Sequence, residues 1–271
     1  MNGLELSNAL RAGRRVYGTL ITSPSPHLPP HLRGIGLDYV FIDTEHIPIN
    51  DHDLAWMCQT YCALNLAPIV RIPEPDPYRA CKVLDGGACG IIAPYIETVA
   101  EVQALRGAVK LRPLKGKKLA AALDGTDEPG EPLASYLREG SAGRLLFINI
   151  ESVPAVDSLD RILAVPGIDA VQIGPHDLSV SMGIPEQYGH PDFDRMVRVI
   201  IKKTRAHNVG VGIHFWECLE QEIEWAKCGA NLFLHSADVL LFTRTLHKDL
   251  KEARAALGDE LEQGGHRVDA I

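Results

Sequence analysis

Apolar residues in this chain fall in short unbroken runs, and each run is followed by a longer stretch in which apolar and polar positions alternate at helical spacing. The runs are VYGTLIT (16–22), YVFID (39–43), PIVRI (68–72), GIIAP (90–94), RLLFINIE (144–151), AVQIGP (170–175), VGVGIH (209–214) and NLFLHS (231–236). A strand that is apolar at consecutive positions is buried on both faces, as in a parallel sheet covered by helices. The stretches 51–64, 77–86, 98–108, 153–164, 191–207, 218–227 and 237–255 read as those helices. Eight strand and helix repeats predict an α/β fold, a closed (β/α)8 TIM barrel, with an open doubly wound sheet as the second arrangement.

One connection breaks the rhythm. Residues 110–143 are too long for a plain loop and carry two short helical patterns around a Gly, Pro and Asp-rich break. Excursions of this length serve as lids or interface arms, or stay disordered. The chain therefore reads as a single barrel domain over 1–257, with the excursion at 110–143 and a polar C-terminal tail at 258–271.

Composition narrows the partners. A hydrophobic fraction of 46% with 23% charged residues suits a globular chain with a buried core. A formal net charge of -8 argues against nucleic acid or an anionic membrane as the main partner. No apolar run approaches the roughly 18 residues that span a bilayer, and the N-terminus lacks a secretory core, so a cytoplasmic location is expected. The six cysteines, at 58, 62, 81, 89, 218 and 228, form no C-x-x-C pair and read as plain thiols in a reducing compartment.

Barrel enzymes build their sites at the carboxyl ends of the strands. There the chain offers Asp43, Glu45 and His46 after the second run, Arg71 in the third, and Asn149 and Glu151 in the fifth. His176 and Asp177 follow the sixth, His214 ends the seventh, and His235, Ser236 and Asp238 lie at the eighth. Asn149 and Glu151 are two apart, so an extended strand points them to one side. Glu151 and Asp177 come from adjoining strands, and two close anions need a proton or a cation between them. Hard divalent ions suit such oxygen donors, although salt-bridged carboxylates fit the spacing as well. Arg71 fits either a substrate contact or a structural pair with Glu45, and His46 either catalysis or the surface. No lysine falls in the eight runs, which leaves a Schiff-base mechanism without its amine.

The segments GLDYVFIDTEH, VRIPEPDPYRACKVLDGGACGIIAPYIETVAE, INIES and GIDAVQIGPHDLS together resemble the HpcH/HpaI aldolase family, the metal-dependent (class II) 2-oxo acid aldolases, over roughly residues 5 to 250. The resemblance implies a modified barrel that exchanges its last helix with a neighbour and assembles as a hexamer, a trimer of dimers. It assigns Glu151 and Asp177 to a divalent metal ion (Mg2+, Mn2+ or Co2+), Arg71 to the oxo acid and His46 to the catalytic imidazole. Asp43 belongs to the same motif, and Asp85 matches an aspartate that in relatives reaches the histidine across a subunit interface. Asn149, Gly174, Pro175 and His176 fall with Arg71 at the substrate.

The implied reaction cleaves, or forms, 4-hydroxy-2-oxo acids to pyruvate and an aldehyde through an enolate. Decarboxylation of oxaloacetate or a condensing synthase reaction through the same enolate is the second reading, and a non-catalytic 2-oxo acid binding protein the third. Three departures bear on substrate. His176 stands where relatives usually carry a small residue, Asn149 where many carry glutamine, and Lys118 and Leu119 replace a glycine and arginine pattern in the excursion. Phe215 and Trp216, past the seventh run, suit either an apolar acceptor or packing at the rim.

Overall fold

The computed structural model describes residues 1–259, so of the polar tail only Gly258 and Asp259 are included and 260–271 lie outside. All eight apolar runs are strands: β1 (Val16–Ile21), β2 (Tyr39–Asp43), β3 (Ala67–Arg71), β4 (Gly90–Ala93), β5 (Leu145–Ile150), β6 (Ala170–Ile173), β7 (Gly210–Phe215) and β8 (Leu232–Ala237). They pair in parallel in sequence order, and β8 returns to β1 with Val16 opposite Leu232 and Gly18 opposite Leu234. That last pairing closes the barrel and removes the open-sheet arrangement.

Helices alternate with the strands. In chain order they are α1 (Gly3–Arg11), α2 (Leu28–Leu32), α3 (Asp51–Ala63), α4 (Pro77–Asp85), α5 (Val99–Lys110), α6 (Gly116–Asp124) and α7 (Leu133–Ser141). They continue as α8 (Val153–Leu163), α9 (Pro175–Ser181), α10 (Pro191–Ala206), α11 (Leu219–Lys227) and α12 (Asp238–Leu257). Local chemistry sets many of the starts. Asn50, Asp76, Thr98 and Ser152 each accept a hydrogen bond from a backbone N–H of the first turn, and prolines open α4, α8, α9 and α10, where a missing N–H costs nothing.

Side chains alternate between two cores. Leu20, Tyr39, Phe41, Ile69, Ile92, Leu145, Phe147 and Leu234 fill the barrel interior. Ile21, Val40, Ile42, Val70, Ile91, Leu146, Val171, Val211 and Ile213 face the helices. Each fully buried aliphatic or aromatic side chain contributes about 1.5–3 kcal/mol. Gly18 is required by this packing, because a Cβ there would lie 2.4 Å from the Tyr39 ring.

Three helices have no counterpart in the apolar pattern. α1 seals the amino-terminal end: Leu6 and Leu10 are buried, Ser7 Oγ donates to Asp169, and Asn231 Nδ2 donates to the Leu10 carbonyl. Its start is set locally by a capping box between Asn2 and Glu5, whereas its buried residues pack on segments distant in sequence. α2 and α9 are shorter still.

The excursion forms α6 and α7, with Leu119 and Leu123 packed on Gly107 of α5 and Leu137 buried. It thus lies along the outside of the barrel beside α5. α12 behaves differently from every other long helix, for none of its residues is buried. It exposes Leu241, Phe242, Leu246, Leu250 and Leu257, while Tyr17 on β1 is exposed and Phe233 on β8 only half-buried. Among the described residues no helix is long and apolar enough to cross a membrane.

Candidate active site

Strand register builds the first half of the site. β2 and β3 pair with Asp43 opposite Arg71, both at the carboxyl end of the barrel. Arg71 Nε donates to Asp43 Oδ1 at 2.8 Å and Nη2 to Oδ2 at 2.6 Å, a bidentate fork. Spacing leaves Arg71 either a substrate contact or a structural pair with Glu45, and the structure shows that pair but gives both hydrogen bonds to Asp43. Glu45 Oε2 lies 3.1 Å from Nε as an ion pair only, since that N–H is already committed. The guanidinium rests over Phe41 with Cζ 5.4 Å from the ring centre.

The same geometry fixes charge states. Burial pushes the Asp43 carboxyl up, but the bond and charge of Arg71 outweigh it and leave a net shift below the usual value. Arg71 is held further toward its charged form by Asp43, Glu45 and Glu151, against its own burial. The turn that follows is pinned: Thr44 N and Oγ1 both donate to the Arg71 carbonyl, and Glu45 N donates to Asp43 Oδ1. It delivers His46 to the mouth, with Nε2 3.8 Å from Glu45 Oε2 and the ring half-exposed.

The second half comes from β4, β5 and β6. Glu151, just past β5, accepts from the Tyr95 N–H at 2.6 Å and from Asn149 Nδ2 at 2.9 Å, so Asn149 and Glu151 do point to one side. A Cβ on Gly174 would sit 2.7 Å from Glu151 Oε2, so the glycine of the G-P-x-D element is what lets the carboxylate lie there. Pro175 then opens α9 and puts Asp177 in its first turn. Burial raises the Glu151 carboxyl, and the anions of Asp177 and Glu45 raise it further. His176 flanks the pair, with Nδ1 3.6 Å from Asp177 Oδ1 and Nε2 3.7 Å from Glu186 Oε1.

Whether this set suits a cation is decided by its donors. Among the described residues no lysine or arginine is paired with Glu151 or Asp177, and the Asn149 Oδ1 is buried without a partner. Two carboxylates of which one is held above its usual pKa, beside an unused amide oxygen, fit a hard divalent ion that keeps open positions for other oxygens. No group of three or more His, Cys, Asp or Glu able to hold a metal occurs among the described residues, so a closed zinc-type cage is absent there.

Other polar residues of the strand ends divide by direction. His214 faces inward beneath Arg71, where Nε2 donates to the Ser236 carbonyl at 2.9 Å and the ring meets Phe41 edge-on. Burial, aided by the Arg71 charge, pulls its pKa down to about 4, so the ring is neutral. His235 faces outward and pairs with Glu222 at 2.6 Å. Asp238 ties β8 to β1 by accepting from Thr22 and Ser23. Asp85 ends α4 at the opposite end of the barrel, bound through both carboxylate oxygens to Arg112 at 3.0 Å, so within one chain it does not approach His46.

Two further residues complete the mouth. Tyr95 adopts a left-handed backbone (φ 56°) that aims its N–H at Glu151, and the Glu45 carboxylate beside its phenol pushes the pKa up to about 12. Gln172 pairs in register with Asn149 and keeps a buried, unpartnered Oε1. Its signal was a lone polar residue inside the run AVQIGP.

The family model for HpcH/HpaI aldolase/citrate lyase matches residues 17–242, nearly the whole barrel. The chain belongs to this family. A 2-keto-3-deoxy-L-rhamnonate aldolase of Klebsiella pneumoniae subsp. pneumoniae is 31% identical over 256 residues, covering 92% of this chain and 94% of the relative. The HpcH/HpaI aldolase of Desulfitobacterium hafniense DCB-2 superposes with a TM-score of 0.80 at 26% identity, covering 96% of this chain and 99% of that one. The citrate synthase SbnG superposes with the same TM-score, 0.80, at 28% identity, covering 94% and 100%. As an HpcH/HpaI protein the chain is an enzyme of the aldolase and lyase type.

Proposed function

We propose that this enzyme cleaves, or forms, 4-hydroxy-2-oxo acids to pyruvate and an aldehyde with the help of a divalent cation held by Glu151 and Asp177. The observation that carries the reading is an anion pair with no cationic side chain bonded to it, within electrostatic reach of an arginine braced by Asp43. A cation such as Mg2+, Mn2+ or Co2+ supplies, when bound, a Lewis acid that polarises the 2-oxo group and steadies the enolate.

The chain's own residues do the rest. Arg71 presents fixed positive charge to the oxygens of the oxo acid, and removing one preorganised donor of this kind costs about 3–4 kcal/mol in other enzymes. His46 takes the C4 hydroxyl proton as the bond between C3 and C4 breaks, and returns it in the forward condensation. Glu45 lies close enough to orient that imidazole. Asn149, Gly174, Pro175 and His176 border the oxo acid, and His176 narrows the mouth on the acceptor side. A deoxy sugar acid of the kind named for the Klebsiella relative is the proposed substrate class.

A second reading keeps the enolate and changes its fate to condensation or decarboxylation of oxaloacetate, favoured by the likeness to citrate synthase SbnG and by His176. The assembly belongs to the same proposal. The uncovered apolar face of α12 and the accessible Tyr17 and Phe233 support a helix exchanged between protomers of a cytoplasmic hexamer, a trimer of dimers, in which Asp85 approaches a neighbour's mouth.

A coupled assay tests the activity: purified protein is given 2-keto-3-deoxy-L-rhamnonate, and released pyruvate is read through lactate dehydrogenase. Cleavage is expected with Mg2+ or Mn2+, to vanish in EDTA and to return on adding metal. Full activity in EDTA rejects the cation, and no pyruvate from any 4-hydroxy-2-oxo acid rejects the lyase.

A further inference from the structure

At the amino-terminal end of the barrel, opposite the mouth, two cysteines that spacing alone leaves as plain thiols face each other. Cys62 lies in the last turn of α3 and Cys89 immediately before β4, with their Sγ atoms 3.6 Å apart and both free. A disulfide bond spans about 2.05 Å, so the two sulfurs, already in contact, must close by roughly 1.5 Å to be joined. The backbone on the Cys89 side is fixed by the barrel, its N–H donating to Pro68 O and its carbonyl accepting from Leu145 N, both at 2.9 Å. Cys62 is exposed and Cys89 half-buried, whereas Cys58, one helical turn before Cys62, is buried. Among the described residues no other two sulfurs are in such contact.

We propose that Cys62 and Cys89 form a redox-reversible dithiol site whose substrates are small-molecule disulfides, with Cys62 attacking and Cys89 resolving. The Cys62 thiolate attacks one sulfur of the disulfide RSSR, whose S–S bond breaks to release RS−. Cys89 then loses its proton, attacks Cys62 Sγ and displaces the second RS−. Two protein thiols are oxidised, one external disulfide is reduced to two RSH, and the two protein protons end on the released thiols. Free thiol RSH in excess runs both steps backward.

Proton sharing within the pair supports the order of attack. The first thiolate is held by the neighbouring S–H, which pulls Cys62 down to about 7, and the second proton, on Cys89, is correspondingly retained. Burial pushes Cys58 up to about 12 and removes it from competition. The bond joins the last turn of α3 to the turn between α4 and β4, away from Arg71 and Glu151. None of this depends on the chemistry assigned to the mouth.

The test uses the full-length chain, reduced, desalted and incubated with oxidised glutathione. It is then quenched with N-ethylmaleimide and weighed intact and after trypsin. The expected product takes up two fewer maleimides than the reduced protein, carries no glutathione, and yields one peptide pair joining Cys62 to Cys89 that dithiothreitol separates. Cys89→Ser should trap one glutathione on Cys62. On the unmodified protein, timed alkylation should label Cys62 about tenfold faster than Cys58, a readout that needs no variant. A lasting glutathione adduct on Cys62 in the wild type, a cross-link between other cysteines, or full alkylation of all six thiols after oxidation would overturn the proposal.

Discussion

Arg71 is the side chain on which the mouth is organised. Its charge is buried, its fork is filled by Asp43, and its flat face lies over Phe41. Removing one partner of a buried ion pair leaves the other uncompensated, at roughly 3–5 kcal/mol. Asp43→Ala is therefore expected to lower the urea unfolding free energy by about that amount, and an unchanged midpoint would show that Glu45 alone suffices. His214 gives a pH signature. Its native pKa of about 4 lies below its ordinary 6.5, so between those values the unfolded chain binds a proton that the native one does not. Stability thus falls as pH drops through this window, at up to about 1.4 kcal/mol per unit. His214→Gln should flatten the acid limb of urea midpoints measured at pH 7 and pH 5, and an unaltered slope would assign it to other groups. Most of these residues are legible in the sequence because polar side chains at the ends of apolar runs are conspicuous. Which carboxylate takes the hydrogen bonds of Arg71 is not legible, since Asp43 and Glu45 lie only two residues apart and only strand register separates them. Tyr95 stands at the end of the fourth run, but its part is not legible because it acts through its backbone N–H.

At the scale of elements, the strands announce themselves by continuous apolarity and the longer helices by spacing and caps. α1 carries a capping box of Asn2 and Glu5 but little else, because its role is tertiary: Leu6 and Leu10 have a core to enter only once the barrel has closed beneath them. α9 is masked by Pro175, which reads as a turn and serves as a helix start. α12 is legible as a helix, yet its lack of any buried residue could only be seen in the fold. Phe242 and Leu246 stand one helical turn apart on it, both exposed. The double substitution Phe242→Glu and Leu246→Glu is expected to reduce the mass measured by light scattering from that of an oligomer to that of one chain. An unchanged mass, or a wild type that already has the mass of one chain, would contradict an assembly through this face.

At the scale of the whole molecule, the two ends of the barrel carry separate chemistries. The carboxyl end gathers Asp43, Glu45, Glu151 and Asp177 around one arginine, a local excess of negative charge within a chain whose net charge is already -8. The amino end is sealed by α1 and holds the paired thiols. If the excess of anions at the mouth holds a cation, pyruvate loses a methyl proton there, and proton NMR of pyruvate in D2O reads that step with no aldehyde present. Loss of the methyl signal is expected with Mg2+ or Mn2+, but neither in EDTA nor, with either metal, in Glu151→Gln. Equal exchange in EDTA, or in that variant, would contradict the account.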